Sequence, residues 1–538
     1  MDKEDPLLLQ TEKGLTARIG NLFLYPPEDP QGYARRRALS VDIPPRTLVF
    51  VPSVGLGHGL PELLNRLPET SSILCVEIDQ RIMALAAAAG LPKDPRLTIV
   101  RTESEAAAAE VLARMGTGNF RRVVNLPLSA GYRIDREIYS KIQAALASEI
   151  RAFWQNRMTL IGMGSLFMKN LFDNLPMLAG AGDFGSLSTE RPVVVCGAGP
   201  SLDLCIPLLR KLRDRYLLVS VDTALPALAA RALIPDLIVT LEAQHANLAD
   251  FIPFRDPAIP VAADLITCPE VLRISPDSLY FFSSSFAPIP LFDRLKREGL
   301  LPFSIPALGS VGVAAVFVSA RLTAGDVFLA GLDFSFPGGQ THARGTPSHL
   351  SMLSSSRRFR SVGQDAYESL LGRPRARGID KRGAPVVTDL VLRSYRDQLE
   401  TIVRANAGRM ADIGETGLPL GVGPIGFSEA EERLSSCAEG GVKLRLRRER
   451  RFHGEIGSFL RGEKQALSSA EAIIGRALSS PEPAGIVREG MENLRGVDYS
   501  YVHFPDFPSG DFPSDKSFLA RALVSLRYYA ERINRVLT

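Results

Sequence analysis

Apolar positions along the chain fall into short continuous runs that alternate with longer stretches of helical spacing. Thr47–Pro52 is one such run. The Gly-rich turn SVGLGHG follows it, and Leu60–Leu67 has the spacing of a helix. Ile73–Ile78 reads as a second strand, with Glu77 at its end and Asp79 just beyond; Leu97–Val100 and Arg122–Asn125 read as two more. Strands alternating with helices predict a parallel sheet. Ile134–Leu175 is predicted to be mostly helical. The small-residue stretch Gly180–Thr189 (GAGDFGSLST) reads as a linker.

A second alternation runs from Arg191 to Gly339. Val193–Cys196 is a predicted strand, Gly197–Ser201 (GAGPS) a turn, and Cys205, Leu208, Leu209 and Leu212 mark one side of a helix. Leu217–Asp222, Leu237–Glu242, Pro260–Asp264, Leu279–Ser283 and Val327–Leu332 are further predicted strands. Leu225–Leu233 and the small-residue stretch Ser310–Leu322 are predicted helices. Gly338–Arg382 is long, polar and rich in Ser, Arg and Gly, which predicts a mobile lid or a linker. Asp389–Ala405 reads as a helix, and Glu429–Thr538 as largely helical. No period of 20–50 residues recurs. The predicted organisation has three parts: a Rossmann-like N-terminal domain with a helical extension (1–185), a doubly wound α/β central domain (186–427) and a helical C-terminal region (428–538).

Composition narrows the function classes. A chain of 538 residues exceeds one core. Lys and Arg (63) nearly balance Asp and Glu (59), and a net charge of +4 argues against a general nucleic-acid binder. Local basic runs at Arg357–Arg360, Arg373–Arg382 and Lys443–Arg451 read as solvated faces or loops. The five cysteines lack CxxC or His-paired spacing, so neither a zinc site nor a disulfide framework is expected. Cys75 and Cys196 lie in apolar runs and read as core. The N-terminus has no apolar segment of signal-peptide length, and no run of about 18 apolar residues suggests membrane insertion. A cytoplasmic protein is expected.

Candidate chemistry concentrates at Gly197–Ser201. A strand, a tight glycine turn and a helix in succession would set free N–H groups and the positive helix end at the carboxyl edge of a sheet. Gly197 and Gly199 allow a sharp turn and close approach, Pro200 stiffens it, and Ser201 can cap the helix and donate a hydroxyl. Ala198 lies between the glycines. The predicted strands ending in Asp222, Glu242 and Asp333 place carboxylates on the rim where open α/β sheets bind ligands. These three would hold ribose or sugar hydroxyls, or a metal ion. The turn Ser53–Gly59, with Glu77 and Asp79 after the next strand, resembles an S-adenosylmethionine-dependent methyltransferase fingerprint. The preferred reading there is a Rossmann-like domain that binds no cofactor, with His58 a polar turn residue.

Three stretches resemble a known family. CGAGPSLD, then VDTAL with PDLIVTLEA, then ALGSVGVAAVFVSARLTAGDVFLAGLDFSF are similar to the core of the motility-associated factor (Maf) proteins. GQTHARGT stands where that family has a polar loop. The same core occurs in archaeal 6-hydroxymethylpterin diphosphokinases and is distantly similar to bacterial sialyltransferases. In the sialyltransferase-like pattern an Asn usually separates the two glycines; here it is Ala198. The resemblance implies a sialyltransferase-like central domain and a glycosyltransferase. It would move a nonulosonic, sialic-acid-like sugar from a CMP-activated donor to Ser or Thr of a protein, with flagellin as expected partner. Gly197–Ser201, Asp222, Glu242, Gly309 and Ser310 would bind the donor. His342, in a polar loop just past the Gly331–Phe334 strand end, is the base candidate, Asp333 is the second catalytic candidate, and His349 lies close enough in sequence to compete. The alternatives are an ATP- and Mg²⁺-dependent pterin-type diphosphokinase, for which Asp222, Glu242 and Asp333 are the metal candidates, a methyltransferase centred on the N-terminal domain, and a non-catalytic flagellar assembly factor. A homo-oligomer is compatible with each.

Overall fold

The computed structural model describes residues 5–252, 258–437, 440, 443–446, 452, 455–506 and 512–538. Contacts divide the chain into two compact units, Met1–Gly162 with Asp506–Asp511, and Met163–Pro505 with Phe512–Thr538.

The first unit begins with a small antiparallel sheet, β1 (Leu7–Thr11), β2 (Gly14–Ile19) and β3 (Leu22–Phe23). A parallel sheet follows, made of β4 (Thr47–Pro52), β5 (Ser72–Glu77), β6 (Leu97–Arg101) and β7 (Arg122–Asn125), in the order β6-β5-β4-β7. Every residue of β4 is buried. Its side chains alternate between two cores: Val49 and Val51 join one with Cys75, Leu48 and Phe50 the other with Leu74 and Val76. A central parallel strand covered on both faces reads as a continuous apolar run for this reason. A 39-residue helix, Arg136–Asn174, comes next in the chain.

The second unit opens with β8 (Gly182–Asp183) and β9 (Leu187–Ser188), where the sequence predicts a linker. This stretch is folded instead. Gly182 pairs with Tyr280, and a Cβ there would lie 2.5 Å from the Tyr280 ring. Asp183 Oδ1 accepts hydrogen bonds from Gly185 N–H and Phe303 N–H. The small residues let the backbone lie close to the sheet rather than loosening it.

The main sheet comprises β10 (Val193–Cys196), β11 (Leu217–Val221), β12 (Leu237–Thr240), β13 (Val261–Asp264), β14 (Leu279–Ser284), β15 (Phe303–Ile305), β16 (Val327–Ala330) and β19 (Met410–Asp412). The order is β15-β14-β13-β12-β11-β10-β16-β19, with β8 added to β14 and every neighbour parallel. The chain winds outward from β10 to β15, then returns to the other side of β10 as β16. The switch point therefore lies between β10 and β16, where such sheets bind ligands at their carboxyl edge. Helix Val311–Leu322 packs on β10, β11, β12 and β16, with buried Gly312, Ala314 and Ala315.

The predicted mobile segment 338–382 is also folded. It contains helices Pro347–Ser355 and Val362–Leu371 and leads into an antiparallel hairpin, β17 (Arg375–Ile379) and β18 (Pro385–Asp389). Thr346 and Ser361 each cap a helix by accepting a backbone N–H. Two of the polar residues that read as loop thus mark helix starts. β20 (Arg445–Leu446) pairs with β9. Of the run Lys443–Arg451, Lys443 and Arg445 form ion pairs with Asp236 and Glu190, and 447–451 lies outside the described residues. The C-terminal helices Ile456–Ser479 and Lys516–Leu537 pack on each other. Arg294 makes a two-point contact with the buried Glu463 at 2.6 and 2.9 Å.

Candidate functional site

The turn after β10 is bound from inside the protein. Gly197 N–H donates to the Ala330 carbonyl and Gly199 N–H to the Gly331 carbonyl, both at 2.8 Å. Ser201 donates its N–H and its hydroxyl to Asp333 Oδ2, each at 2.9 Å. The expectation that these N–H groups stand free therefore does not hold. Asp333 sits at the N-terminus of helix Leu202–Lys211, where the sequence predicts an anionic ligand, and a carboxylate suits that position for the same reason. Ser201 makes no side-chain cap of its own. The glycines serve backbone contact: a Cβ on Gly199 would lie 2.2 Å from Asp333 Oδ2, and one on Gly197 2.5 Å from the Gly331 carbonyl oxygen.

Asp333 is 2% exposed, and burial raises its pKa; Ser201 and the Lys381 charge act against that. Thr416 donates to its other oxygen at 3.1 Å. The next residue, Phe334, has φ +47°, a left-handed conformation that costs a non-glycine residue energy and clusters at functional sites. Sequence reasoning missed the neighbouring pair. Lys381 Nζ lies 2.7 Å from Asp412 Oδ2, with both side chains 2% exposed. Burial raises the Asp412 pKa, and Lys381 opposes it.

His342 lies against the same turn. Ala343 N–H donates to the Ala198 carbonyl at 2.9 Å. Asp203, in the first turn of helix Leu202–Lys211, holds the loop further through Arg344 N–H and Arg231. The His342 Nδ1 is buried without a hydrogen-bond partner among the described residues. Burial, and then the Arg373 charge, lowers its pKa. His349 instead closes the loop onto the next helix. Its Nδ1 accepts from Gly345 N–H at 3.2 Å, and its own N–H donates to Thr346.

Ser310 and Gly309 open helix Val311–Leu322 beside this turn. A Cβ on Gly312 would meet Leu332 Cδ2 at 2.9 Å, the same atom that one on Gly197 would meet at 2.6 Å. Ser310 makes no side-chain cap, so the first-turn N–H groups of this helix are not closed by it. Gly309 is exposed and packs on the Tyr395 ring. The structure thus brings together Gly197, Ala198, Gly199, Pro200, Ser201, Asp333, Gly309, Ser310 and His342 around the switch point.

Asp222 and Glu242 stand further along the rim, after β11 and β12. Asp222 accepts from Thr223, Thr240 and Asn247, and burial pushes its pKa up to about 6. Asp250 also holds Asn247; burial, then Asp222 and Glu242, pushes it to about 7. Glu242 is half-exposed and accepts from Gln244 N–H. Among the described residues no three His, Cys, Asp or Glu side chains are grouped to hold a metal ion. Two adjoining cavities of about 680 and 420 Å³ open at the β14–β15 end of the sheet, sharing Ser285, Phe292, Asp293, Leu301 and Ser304. They lie several strands from the switch point.

The N-terminal glycine turn is filled by its own unit. Tyr25 Oη accepts from Leu56 N–H at 3.1 Å, and a Cβ on Gly55 would lie 2.4 Å from that oxygen. Glu77 accepts from Ser53, Val54, Ile78, Asp79 and Tyr139. His58 Nε2 contacts the Leu15 carbonyl at 2.8 Å.

Residues 168–339 match the family model described as 6-hydroxymethylpterin diphosphokinase MptE-like. The solved structure of a Maf glycosyltransferase from Magnetospirillum magneticum AMB-1 superposes with a TM-score of 0.54 at 14% identity, covering 99% of this chain and 92% of that one. This is a Maf-like fold around an MptE-like core. An uncharacterized protein of Treponema pallidum (strain Nichols) is 27% identical over 99% of this chain and 95% of its own length. A second from the same organism is 32% identical over 104 residues, 18% of this chain and 47% of that protein. The Maf-like fold spans both units, while the MptE-like match ends at Gly339, three residues before His342. Among the described residues no helix is long and apolar enough to cross a membrane.

Proposed function

We propose that this chain is a glycosyltransferase that moves a sialic-acid-like, nonulosonic sugar from a CMP-activated donor to a Ser or Thr hydroxyl of a protein, flagellin being the expected acceptor. The observation that carries the reading is His342. Its unpartnered Nδ1 is held against the Ala198 turn, at the switch point of a Maf-like fold. Breaking a glycosyl–phosphate bond puts negative charge on the leaving phosphate, and backbone donors near it lower the barrier. The first turn of helix Val311–Leu322 offers such donors, with Gly309 and Ser310 at its entrance. Asp333 positions by locking the Gly197–Ser201 turn. His342 takes the acceptor proton; its lowered pKa keeps the ring neutral at pH 7, as a base requires. Glu242 is exposed enough to meet donor hydroxyls.

CMP, and not ATP, is expected to raise the melting temperature. His342→Ala should cut transfer by about 10²–10⁴-fold while leaving CMP affinity within about twofold. Transfer by the parent should fall only below about pH 6.5, the ordinary histidine value, because the lowered pKa moves the acid limb down. Full transfer by His342→Ala would remove this residue as the base. A second reading draws on the family match over 168–339: a pterin-type diphosphokinase using ATP and Mg²⁺. Stabilisation by ATP with Mg²⁺ and not by CMP would select it. Response to neither nucleotide at millimolar concentration would leave a non-catalytic flagellar assembly factor.

A further inference from the structure

The hairpin β17–β18 has one side that is open along β17 as far as Ile379; just beyond, Lys381 N–H donates to the Gly417 carbonyl at 3.1 Å. Asp380 N–H donates to the Ala384 carbonyl at 2.8 Å, and the Val387 carbonyl accepts from Phe336 N–H, also at 2.8 Å. Antiparallel ladders alternate bonded and non-bonded pairs. With Val387 turned away from β17, the pairs Ala376–Thr388 and Gly378–Val386 are the bonded ones. Arg375, Arg377 and Ile379 therefore direct their backbone N–H and C=O groups away from β18. The sheet has two strands, so among the described residues no further strand pairs with β17 there. An edge of this kind is a template for an added strand.

The outer face of the hairpin has a matching character. Arg375, Arg377, Ile379, Pro385 and Val387 are exposed on one face, while Gly378, Val386 and Thr388 turn inward. Residues 344–393 carry ten Lys and Arg against four Asp and Glu, a larger surplus than the whole chain's +4. Leu350, Leu353, Phe359, Tyr367, Leu371 and Leu390 are exposed in the same segment, with Phe359 at 87%. Most of these apolar groups are aliphatic. They suit a polypeptide better than nucleic-acid bases, which stack on aromatic rings. The cations also lie off the helices: Pro347–Ser355 carries no Lys or Arg, and Val362–Leu371 carries only acids. A helix lying on a membrane surface would carry them.

β17 leads from the candidate site. Arg373, two residues before it, stacks over Phe336 at 5.7 Å, pairs with Asp389 at 3.1 Å and is close enough to perturb His342. We propose that β17 is the acceptor-docking edge, on which an extended acidic segment of a protein adds as a third strand and brings a Ser or Thr side chain toward His342. Main-chain pairing supplies affinity in this mode, and Arg375 and Arg377 supply selection for acidic neighbours. The inference deepens the transferase reading and depends on it.

The test uses the full chain and two probes, a Ser-containing peptide alternating Glu with Leu and Ser, and the same peptide with Lys for Glu. The acidic peptide should bind at least tenfold more tightly, with affinity falling as salt rises. The double variant Arg375→Glu and Arg377→Glu should lose at least tenfold in that affinity, with its melting temperature and CMP affinity unchanged. Arg377→Pro, which removes an outward N–H, should do the same with a neutral Ser-Leu peptide. Equal binding of the two peptides, or undiminished binding by the charge-reversed chain, overturns the inference even if CMP still binds. So does loss of a dimer in the variant, RNA binding, or co-sedimentation with phosphatidylserine vesicles that the variant abolishes. Failure of CMP binding in the parent refutes the transferase reading separately.

Discussion

At the scale of single residues, the glycine turn and its acid form one contact. Gly199→Ala would press a methyl carbon into Asp333 Oδ2 and the Gly331 carbonyl. A loss of about 1–3 kcal/mol is expected in urea denaturation, before any effect on ligand. Stability equal to the parent would contradict the contact. Asp222 gives a pH-dependent counterpart. Its folded pKa, about 6, stands above the ordinary 3.8, so the folded state holds the proton more tightly than the unfolded one. The ionised form therefore costs stability, and that cost develops as pH rises from about 4 through about 6. Asp222→Asn lacks this dependence. Its deficit relative to the parent should shrink by up to about 3 kcal/mol between pH 4 and pH 7.5. A pH-independent difference between the two would show that the Asp222 pKa is not raised. The turn residues were legible in the sequence because glycine, proline and serine coincide after an apolar strand. The partner of the turn was not, because Asp333 reaches Ser201 from 132 residues further along the chain.

Among elements, the strands buried on both faces were the most readable. Val193–Cys196 and Thr47–Pro52 match their predicted bounds. The failures are polar or very short. β19 has three residues, and nothing in MAD signals a strand. β17 alternates Arg with Ala and Gly, so its period-2 pattern is carried by charge rather than by apolar side chains. The D-K-R-G turn between its strands was the available signal. That turn also anchors the hairpin, through the buried pair of Lys381 and Asp412. Lys381→Met would leave Asp412 buried without its cation, at a cost of about 3–5 kcal/mol. The double variant Lys381→Met with Asp412→Leu should recover most of that in thermal unfolding. No recovery would mean that Lys381 stabilises by packing and not by charge.

For the molecule as a whole, two α/β units share an architecture but present different edges. In the first, Tyr25 and Glu77 consume the groups that a nucleoside cofactor would need. Millimolar S-adenosylmethionine should leave the melting temperature unchanged, and a rise of several degrees would reopen that unit as a binding domain. In the second, two chain turns close the switch point across an interval of well over a hundred residues. Where Gly197 and Gly331 meet, each backbone fills the volume that the other's first side-chain carbon would need. Enlarging either cannot be compensated by trimming its opposite, since there is nothing left to trim. Any redesign of this switch point must therefore leave both positions bare and work outward from the loops, beginning with residues 309–310 and 340–346.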